Sequence, residues 1–532
     1  MEPDHMLLQE YLTSQATDRA DAVASVDDGK QVTYGELEIL SNQLAGALKE
    51  AGCRRGDRVG VFLPRSRDTL VSVFGIFKAD CVYVPLDPKN PPVYVARLLS
   101  TISPRVVLVD RTTVHVVRQL RQRGLWGEGC AVGWMDTERP GDVDILFDFN
   151  DVLRVCPVSL RYANASSDVA FIIFTSGSTG APKAVPITHK SMYHCVEWMV
   201  KHFDIRPTNR HSMTFSLYFD ASMNDIISPL AAGACLFPVP PHRGVTPEGL
   251  AQFIRESQLT HWTSGPWGLS YLARFDALRD NDFPSMRHVY WGGEVLPTPS
   301  LIYWMKKLPH VTFTNVYGPT ETTFISSYYR VPRCPEDEQE IIPIGLPLEG
   351  EELLVLDDNL RRVGPGEVGE LYIAGVGLSP GYWADPQKTS EVFLPNPFSD
   401  DPEERIYRTG DVAKMDENGV ATYLGRADSQ VQIRGARVEI GEVEAALHTL
   451  EYLEECAVVA ITPRSFDQQA IGCVYSPRPG KDVSRRRLVS DLSERIPRHM
   501  IPTRWLSLPG IPRNPNGKID RKKLRHILDS AS

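Results

Sequence analysis

Between Thr175 and Lys183 the chain reads Thr-Ser-Gly-Ser-Thr-Gly-Ala-Pro-Lys. Thr175, Ser176, Ser178 and Thr179 offer hydroxyls, and Gly177 and Gly180 offer backbone N–H groups with no side chain in the way. The six mostly apolar residues Val169–Phe174 read as a buried strand running into this loop. A strand that ends so leaves its N–H groups and hydroxyls converging as a nest for an anion. Lys183 at the far end adds the charge a polyphosphate needs. The spacing fails the Walker A pattern, because Lys183 follows a proline and the next helix starts only near Thr188.

The elements around the loop follow from patterning. Thr33 and Glu36 form a capping box ahead of Leu37, Leu40, Leu44 and Leu48 on one helical face, and Gly52 stands where that helix stops. Strands are predicted at Arg58–Leu63, Val82–Leu86 and Arg105–Val109, with helices at Thr69–Lys78 and Tyr94–Ile102 between them. Met192, Cys195, Met199 and Phe203 mark the buried face of a later helix. Alternation of this kind predicts a layered α/β fold with a largely parallel sheet. Short strands and glycine turns over Glu367–Trp383 predict a β-rich subdomain, and the last hundred residues read as a small α+β domain.

At 532 residues the chain is long for one core, and two domains are expected, 1–427 and 428–532. Residues 429–532 hold 17 Lys and Arg against 12 Asp and Glu, or +5, so residues 1–428 carry −15 of the net −10. An acidic total argues against nucleic-acid binding. The basic C-terminal region is either a solvated face or a docking surface for an acidic partner. No apolar run has the length of a membrane span, no signal peptide is evident, and nine cysteines without a C-x-x-C pair read as reduced thiols. A cytoplasmic protein without membrane partners is expected.

Laid out in order, VTYGEL, KADCVYVPLDP, FTSGSTGAPKA, FDAS, NVYGPTE, GELYIAGVGLSPGYW, YRTGD, GRADSQVQIRGARVEIGEVE, IPRHMIP and NGKID run nearly the whole length of the chain. With these motifs it resembles the adenylate-forming superfamily, nearest to free-standing amino-acid adenylation domains of nonribosomal peptide synthetases. The resemblance implies ATP and Mg²⁺ as cofactors, an aminoacyl-adenylate as intermediate, and transfer to the phosphopantetheine thiol of a separate, acidic carrier protein. It implies that Thr175, Ser176, Gly177, Ser178, Thr179, Gly180 and Lys183 grip the β- and γ-phosphates and that Thr320 contacts the α-phosphate. Glu321 is the implied Mg²⁺ ligand. Tyr317 is implied to stack on adenine, Asp411 to accept from the ribose hydroxyls, and Arg426 to lie beside ribose and phosphate. Lys518 is implied to bridge substrate carboxylate and phosphate, and Asp428 to be the hinge on which the C-terminal domain turns between two half-reactions.

The same resemblance places Asp220, Ala221, Asn224, Trp267, Tyr290, Gly292, Val316, Phe324 and Ile325 around the substrate. A buried carboxylate without a cation is costly, so Asp220 points to an amine in the substrate rather than a helix cap alone. A small or medium neutral amino acid (alanine, serine, 2-aminobutyrate, valine) or a β-amino acid is expected; an acyl- or aryl-CoA ligase is the alternative. The chain departs from the family pattern at Asp80, Ala184, Ser379-Pro380 and Gln432.

Overall fold

The computed structural model describes residues 6–158, 160–177, 182–427, 430–433, 436–461, 469–481, 483–513 and 519–530. Its first sheet has six strands in the order Ala131–Trp134, Val106–Val109, Arg58–Phe62, Val82–Pro85, Val169–Thr175 and Lys183–Thr188. All neighbours are parallel except the last pair. The inner strands are short Val, Leu, Ile and Phe runs, as expected where helices cover both faces. The strand Lys183–Thr188, which the sequence pattern did not signal, lies at the sheet edge, where Pro186 costs no ladder bond.

A second sheet of nine strands is parallel from Thr312–Tyr317 through His288–Trp291, His261–Ser264, Arg210–Met213 and Cys235–Pro238 to Val23–Asp27, with antiparallel strands at its ends. Helices Tyr34–Glu50 and Arg67–Lys78 contribute to one apolar core that draws on both sheets. The capping box is present: the Thr33 hydroxyl accepts from the Glu36 N–H at 3.1 Å and the Glu36 carboxylate from the Thr33 N–H at 2.8 Å. Gly52 turns the chain out of the helix with φ +84°. The second helix begins two residues ahead of the sequence expectation, after Ser66. Helix His189–His202 starts after Thr188 as predicted, and Met192, Cys195, Met199 and Phe203 are buried.

Asp80, one of the departures, has a structural reason. It holds φ +61°, pairs with Lys49 at 2.9 Å, and accepts from the N–H groups of Ala163 and Asn164 at 2.7 and 3.2 Å. Its carboxylate thereby ties the connector that leads into Val169–Thr175 to the end of the preceding helix.

A five-stranded antiparallel sheet (Glu351–Leu356, Val368–Gly375, Phe393–Pro395, Arg405–Met415 and Ala421–Arg426) forms the β-rich subdomain. Beyond it lie the hairpin Gln430–Ile433/Ala436–Glu439 and a three-stranded sheet packed by helices Ile440–His448, Arg485–Ser493 and Arg521–Ser530. Among the described residues, apolar clusters built from Val431 onward contain no residue from before it, so a large N-terminal and a smaller C-terminal domain each own a core. All nine cysteines are free, and no described helix is long and apolar enough to cross a membrane.

Candidate functional site

The carboxyl ends of strands from both large sheets converge on one cavity of about 800 Å³. Pro85, Ile173 to Ser176, Trp291 to Gly293 and Asn315 to Thr320 line it, and Pro497, His499, Met500 and Arg525 close it from the C-terminal domain. A cleft at strand carboxyl ends is where α/β sheets place ligands.

At one end stands Asp220. It does cap the helix Ala221–Ala231, accepting from the Ala221 N–H at 2.7 Å, and the Thr320 side chain hydrogen-bonds to it. Burial pushes its carboxyl up to about 6, against the lowering pull of Thr320 and the Ala221 N–H. No lysine, arginine or histidine forms an ion pair with Asp220 among the described residues. Asp220 therefore caps its helix and carries no paired cation among the described residues. Ala221, Gly292, Val316 and Phe324 share the wall with Asp220. Trp267, Tyr290, Asn224 and Ile325 do not line the cavity. Tyr290 is stacked on Phe203 with ring centroids 4.5 Å apart, and Ile325 joins the same core. Asn224 lies one turn deeper, its Oδ1 accepting from Ser228 at 2.7 Å while Nδ2 makes no hydrogen bond. Of the three large aromatics placed around the substrate, Phe324 lines the cavity and Tyr290 packs in the core behind it.

Also on the cavity wall, Tyr317, Asp411 and Arg426 come together although 94 and 15 residues separate Tyr317 and Arg426 from Asp411 in sequence. The Tyr317 hydroxyl donates to Asp411, whose other oxygen accepts from Arg426 at 2.7 Å; Arg426 also donates to the Thr409 carbonyl at 2.8 Å. Burial raises the Asp411 carboxyl, with Arg426 and Tyr317 opposing it.

Ser176 and Lys183 meet the C-terminal domain. The Ser176 hydroxyl donates to the Arg437 carbonyl at 2.7 Å and accepts from the Glu439 N–H at 3.1 Å. Lys183 Nζ stands 3.6 Å from Glu439 and 5.4 Å above the Tyr382 ring. Burial and the nearby Arg437 lower its ammonium, with Glu321 and Glu439 pulling the other way. Glu321 is wholly enclosed. Arg437 Nη1 lies 3.0 Å from both its carboxylate oxygens, and the Tyr382 hydroxyl donates to one at 2.7 Å. Burial raises this carboxyl, but Arg437, Lys183 and Tyr382 outweigh that and hold it below its ordinary range.

Ser178, Thr179, Gly180, Asp428 and Lys518 lie outside the described residues. Arg437, Glu439, Glu442 and Tyr382 had no assigned role in the sequence reading, although all fall inside motifs it quoted. The usable signal was their period: Arg437 and Glu439 are two apart on one strand and so share a face. The Ser379 departure is also structural. Its N–H donates to the Glu321 carbonyl at 2.8 Å and its hydroxyl to the Pro186 carbonyl at 2.7 Å, joining the Glu321 turn to the strand after the loop.

The residues fit a magnesium nucleotide. No group of three ligating side chains able to hold a metal occurs among the described residues, and Glu321 is a single hard carboxylate near Lys183. That is the donor set for Mg²⁺ held by one carboxylate together with phosphate and water oxygens.

Comparison with known proteins agrees with this geometry. The family model described as AMP-binding enzyme matches residues 12–383, and AMP-binding enzyme C-terminal domain matches residues 442–518. Gramicidin S synthase 2 from Brevibacillus brevis is 34% identical over 98% of this chain, which spans 11% of that relative's length. A solved nonribosomal peptide synthetase protein containing adenylation and PCP domains, bound to a vinylsulfonamide inhibitor, superposes with TM-score 0.82 at 25% identity over 98% of this chain and 84% of its own. The amide bond synthetase McbA from Marinactinospora thermotolerans shares the fold with TM-score 0.87 at 23% identity, covering 98% of this chain and 99% of its own. The chain belongs to the AMP-binding, adenylate-forming ligase family, and its relatives are adenylation domains of nonribosomal peptide synthetases.

Proposed function

We propose that this chain activates an amino acid as its adenylate and passes the aminoacyl group to the phosphopantetheine thiol of an acidic carrier protein. The observation that carries the reading is Asp220, a carboxylate on the wall of the cavity with no cation paired to it among the described residues. A substrate ammonium is the partner that offsets the cost of burying that carboxylate. Ala221, Gly292, Val316 and Phe324 beside it are uncharged, which favours a small or medium neutral side chain such as that of alanine, serine, 2-aminobutyrate or valine, or a β-amino acid. The acyl- or aryl-CoA ligase reading leaves Asp220 unexplained.

In this account Lys183 with the loop 175–180 holds the β- and γ-phosphates, and Glu321 holds the Mg²⁺ that neutralises charge at the phosphates. Thr320 touches both Asp220 and the α-phosphate region, so it sets the amino acid and nucleotide in one register. Tyr317, Asp411 and Arg426 form the nucleoside platform. Orienting the carboxylate against the α-phosphate, with donors fixed where charge builds up, is the chain's main contribution to rate. Lys518 is assigned the bridge between the two anions, and residues 428–532 the moving domain, hinged at Asp428. Arg485, Arg486 and Arg487 are exposed on that domain and suit an acidic carrier.

The test separates the half-reactions. Lys518→Ala is expected to abolish formation of the aminoacyl-adenylate, trapped as its hydroxamate, while sparing transfer from a supplied aminoacyl-adenylate. Equal loss of both halves removes the Lys518 assignment, and no hydroxamate from any amine-bearing acid in the wild type removes the function.

A further inference from the structure

The turn that carries Phe324 into the cavity wall is held from the β-rich subdomain. Thr323 and Phe324 sit at φ +62° and +70°, two consecutive non-glycine residues in the left-handed region, one β-branched and the other bulky. Such a pair persists only where its surroundings fix it. The Ser379 N–H on the Glu321 carbonyl, at 2.8 Å, ties down the first half of the turn, and the Gly377 carbonyl, accepting from the Thr323 hydroxyl at 2.6 Å, ties down the second. Gly377 is itself gripped by Glu351, which opens the strand Glu351–Leu356 with its side chain 1% exposed. Glu351 Oε1 accepts from the Gly377 N–H at 2.7 Å, and His194 Nε2 stands 3.9 Å from the same oxygen. Glycine is required at 377, because a Cβ there would lie 2.6 Å from Glu351 Oε1 and 2.9 Å from the Thr322 carbonyl. Glu351, Gly377 and Thr323 thus form one close-packed chain of hydrogen bonds. It ends on the half of the turn that presents Phe324 to the cavity, whereas Thr320 meets Asp220 from the other half.

We propose that Glu351 sets side-chain selectivity at the substrate cavity by fixing, through Gly377 and Thr323, the left-handed turn that places Phe324 on its wall. Glu351 touches no reacting atom and is a positioning residue. Without an acceptor at 351, the backbone at Gly377 is released and Thr323 loses its fixed partner. The turn then relaxes toward ordinary φ values and draws Phe324 off the wall, which widens the cavity beside the substrate side chain. Glu321 stays held by Arg437, Tyr382 and the Ser379 N–H, so the amino acid is affected and the nucleotide is not. Burial pushes the Glu351 carboxyl up to about 8 against the pull of the Gly377 N–H, so near pH 7 the group is largely a neutral acceptor that glutamine reproduces. The inference rests on the amino-acid adenylation reading for what fills the cavity beside Phe324.

Initial-rate ATP–pyrophosphate exchange, with KM measured separately for amino acid and ATP, tests it on variants shown by urea unfolding to be folded. Glu351→Ala and Thr323→Val are each expected to raise the KM of the preferred amino acid about tenfold, the order of one buried hydrogen bond, with the KM of ATP within about twofold of wild type. Each is also expected to narrow the preference over the next larger side chains by about tenfold, for the same reason. Glu351→Gln is expected to restore both quantities. The Glu351→Ala/Thr323→Val double variant is expected to be no worse than either single one, because both break one chain. A merely structural contribution would lower the urea midpoint without shifting the preference between side chains. Folded variants with wild-type KM and preference, equal rises in both KM values, a glutamine variant as impaired as the alanine one, or additive effects in the double variant overturn the inference. Thr323→Val alone decides it if Glu351→Ala does not fold. No exchange by the wild type with any amino acid removes the adenylation reading and the inference with it, whereas exchange by the wild type with unaffected variants removes the inference alone.

Discussion

Replacing Asp220 by Asn removes the charge and keeps the shape. The amide oxygen still accepts from the Ala221 N–H, now at 2.7 Å, so the helix Ala221–Ala231 keeps its cap. What is lost is the counter-charge for a substrate ammonium. Breaking one side of a buried ion pair costs ~3–5 kcal/mol. Asp220 faces a cavity rather than a sealed core, so the lower end applies, about 3 kcal/mol or roughly a hundredfold in kcat/KM. The pH dependence gives a second, independent signature. Burial, opposed by Thr320 and the Ala221 N–H, sets the Asp220 carboxyl at about 6 in the free protein. Below that value the site is neutral and the ammonium finds no partner, so kcat/KM for the wild type should fall about tenfold per pH unit as pH drops under 6. In Asp220→Asn that acid limb should vanish. The assay is the initial rate of ATP–pyrophosphate exchange at subsaturating amino acid from pH 5 to 8. A variant within threefold of wild type, or one that keeps the acid limb, refutes the role given to Asp220.

Three further outcomes follow from the same geometry. Glu321→Gln keeps the Tyr382 contact but loses the charge; we expect kcat/KM to fall by about a hundredfold and the Mg²⁺ requirement to rise, and an unchanged Mg²⁺ titration counts against a metal role. Asp80→Ala strips three partners from the connector and is expected to cost about 2–3 kcal/mol in urea unfolding with KM unchanged, whereas a stability within 0.5 kcal/mol, about the scatter of a neutral surface change, dismisses its structural role. His211 and His261 are buried and stacked with ring centroids 4.2 Å apart, and burial holds His211 well below its ordinary value and His261 at about 3. Their folded values lie below the unfolded ~6.5, so their stability contribution is complete above 6.5 and is lost as pH falls toward those values; between pH 7 and 5 His261 alone accounts for about 2 kcal/mol, and His211 acts in the same direction. Urea midpoints against pH check it, and an acid loss just as steep in a folded His261→Gln variant assigns the effect to other groups.

Much of the scaffold was legible because its signals are local. Val106–Val109 and Val169–Thr175 announce themselves as apolar runs, and Thr33 with Glu36 as a cap, because each depends on neighbours in sequence. Lys183–Thr188 was missed because an edge strand tolerates Pro186, which reads as a break. Asp80 looked like a departure from a glycine because its three partners lie 31 to 84 residues away. The site shows the same division. The loop, Asp220, Asp411 and Glu321 carry motif signatures that are local, but which side chains face the cavity depends on layer order. Tyr290 and Trp267 were therefore assigned to the substrate although neither lines the cavity. The seating of Arg437 and Glu439 on Glu321, Ser176 and Lys183 could not be read locally, because it needs the C-terminal domain placed against residues more than 100 and more than 250 positions earlier.

The central claim is that an ammonium-bearing acid is activated at a site organised by Asp220. ATP–pyrophosphate exchange with matched acid pairs tests it most directly: alanine against propionate, valine against isovalerate, and β-alanine and aryl acids alongside. The account predicts exchange with at least one small neutral amino acid and a rate lower by about a hundredfold or more for its amine-free counterpart, as expected when a buried charge is left unpaired. Equal exchange for the pair, or exchange with aryl or fatty acids alone, contradicts it.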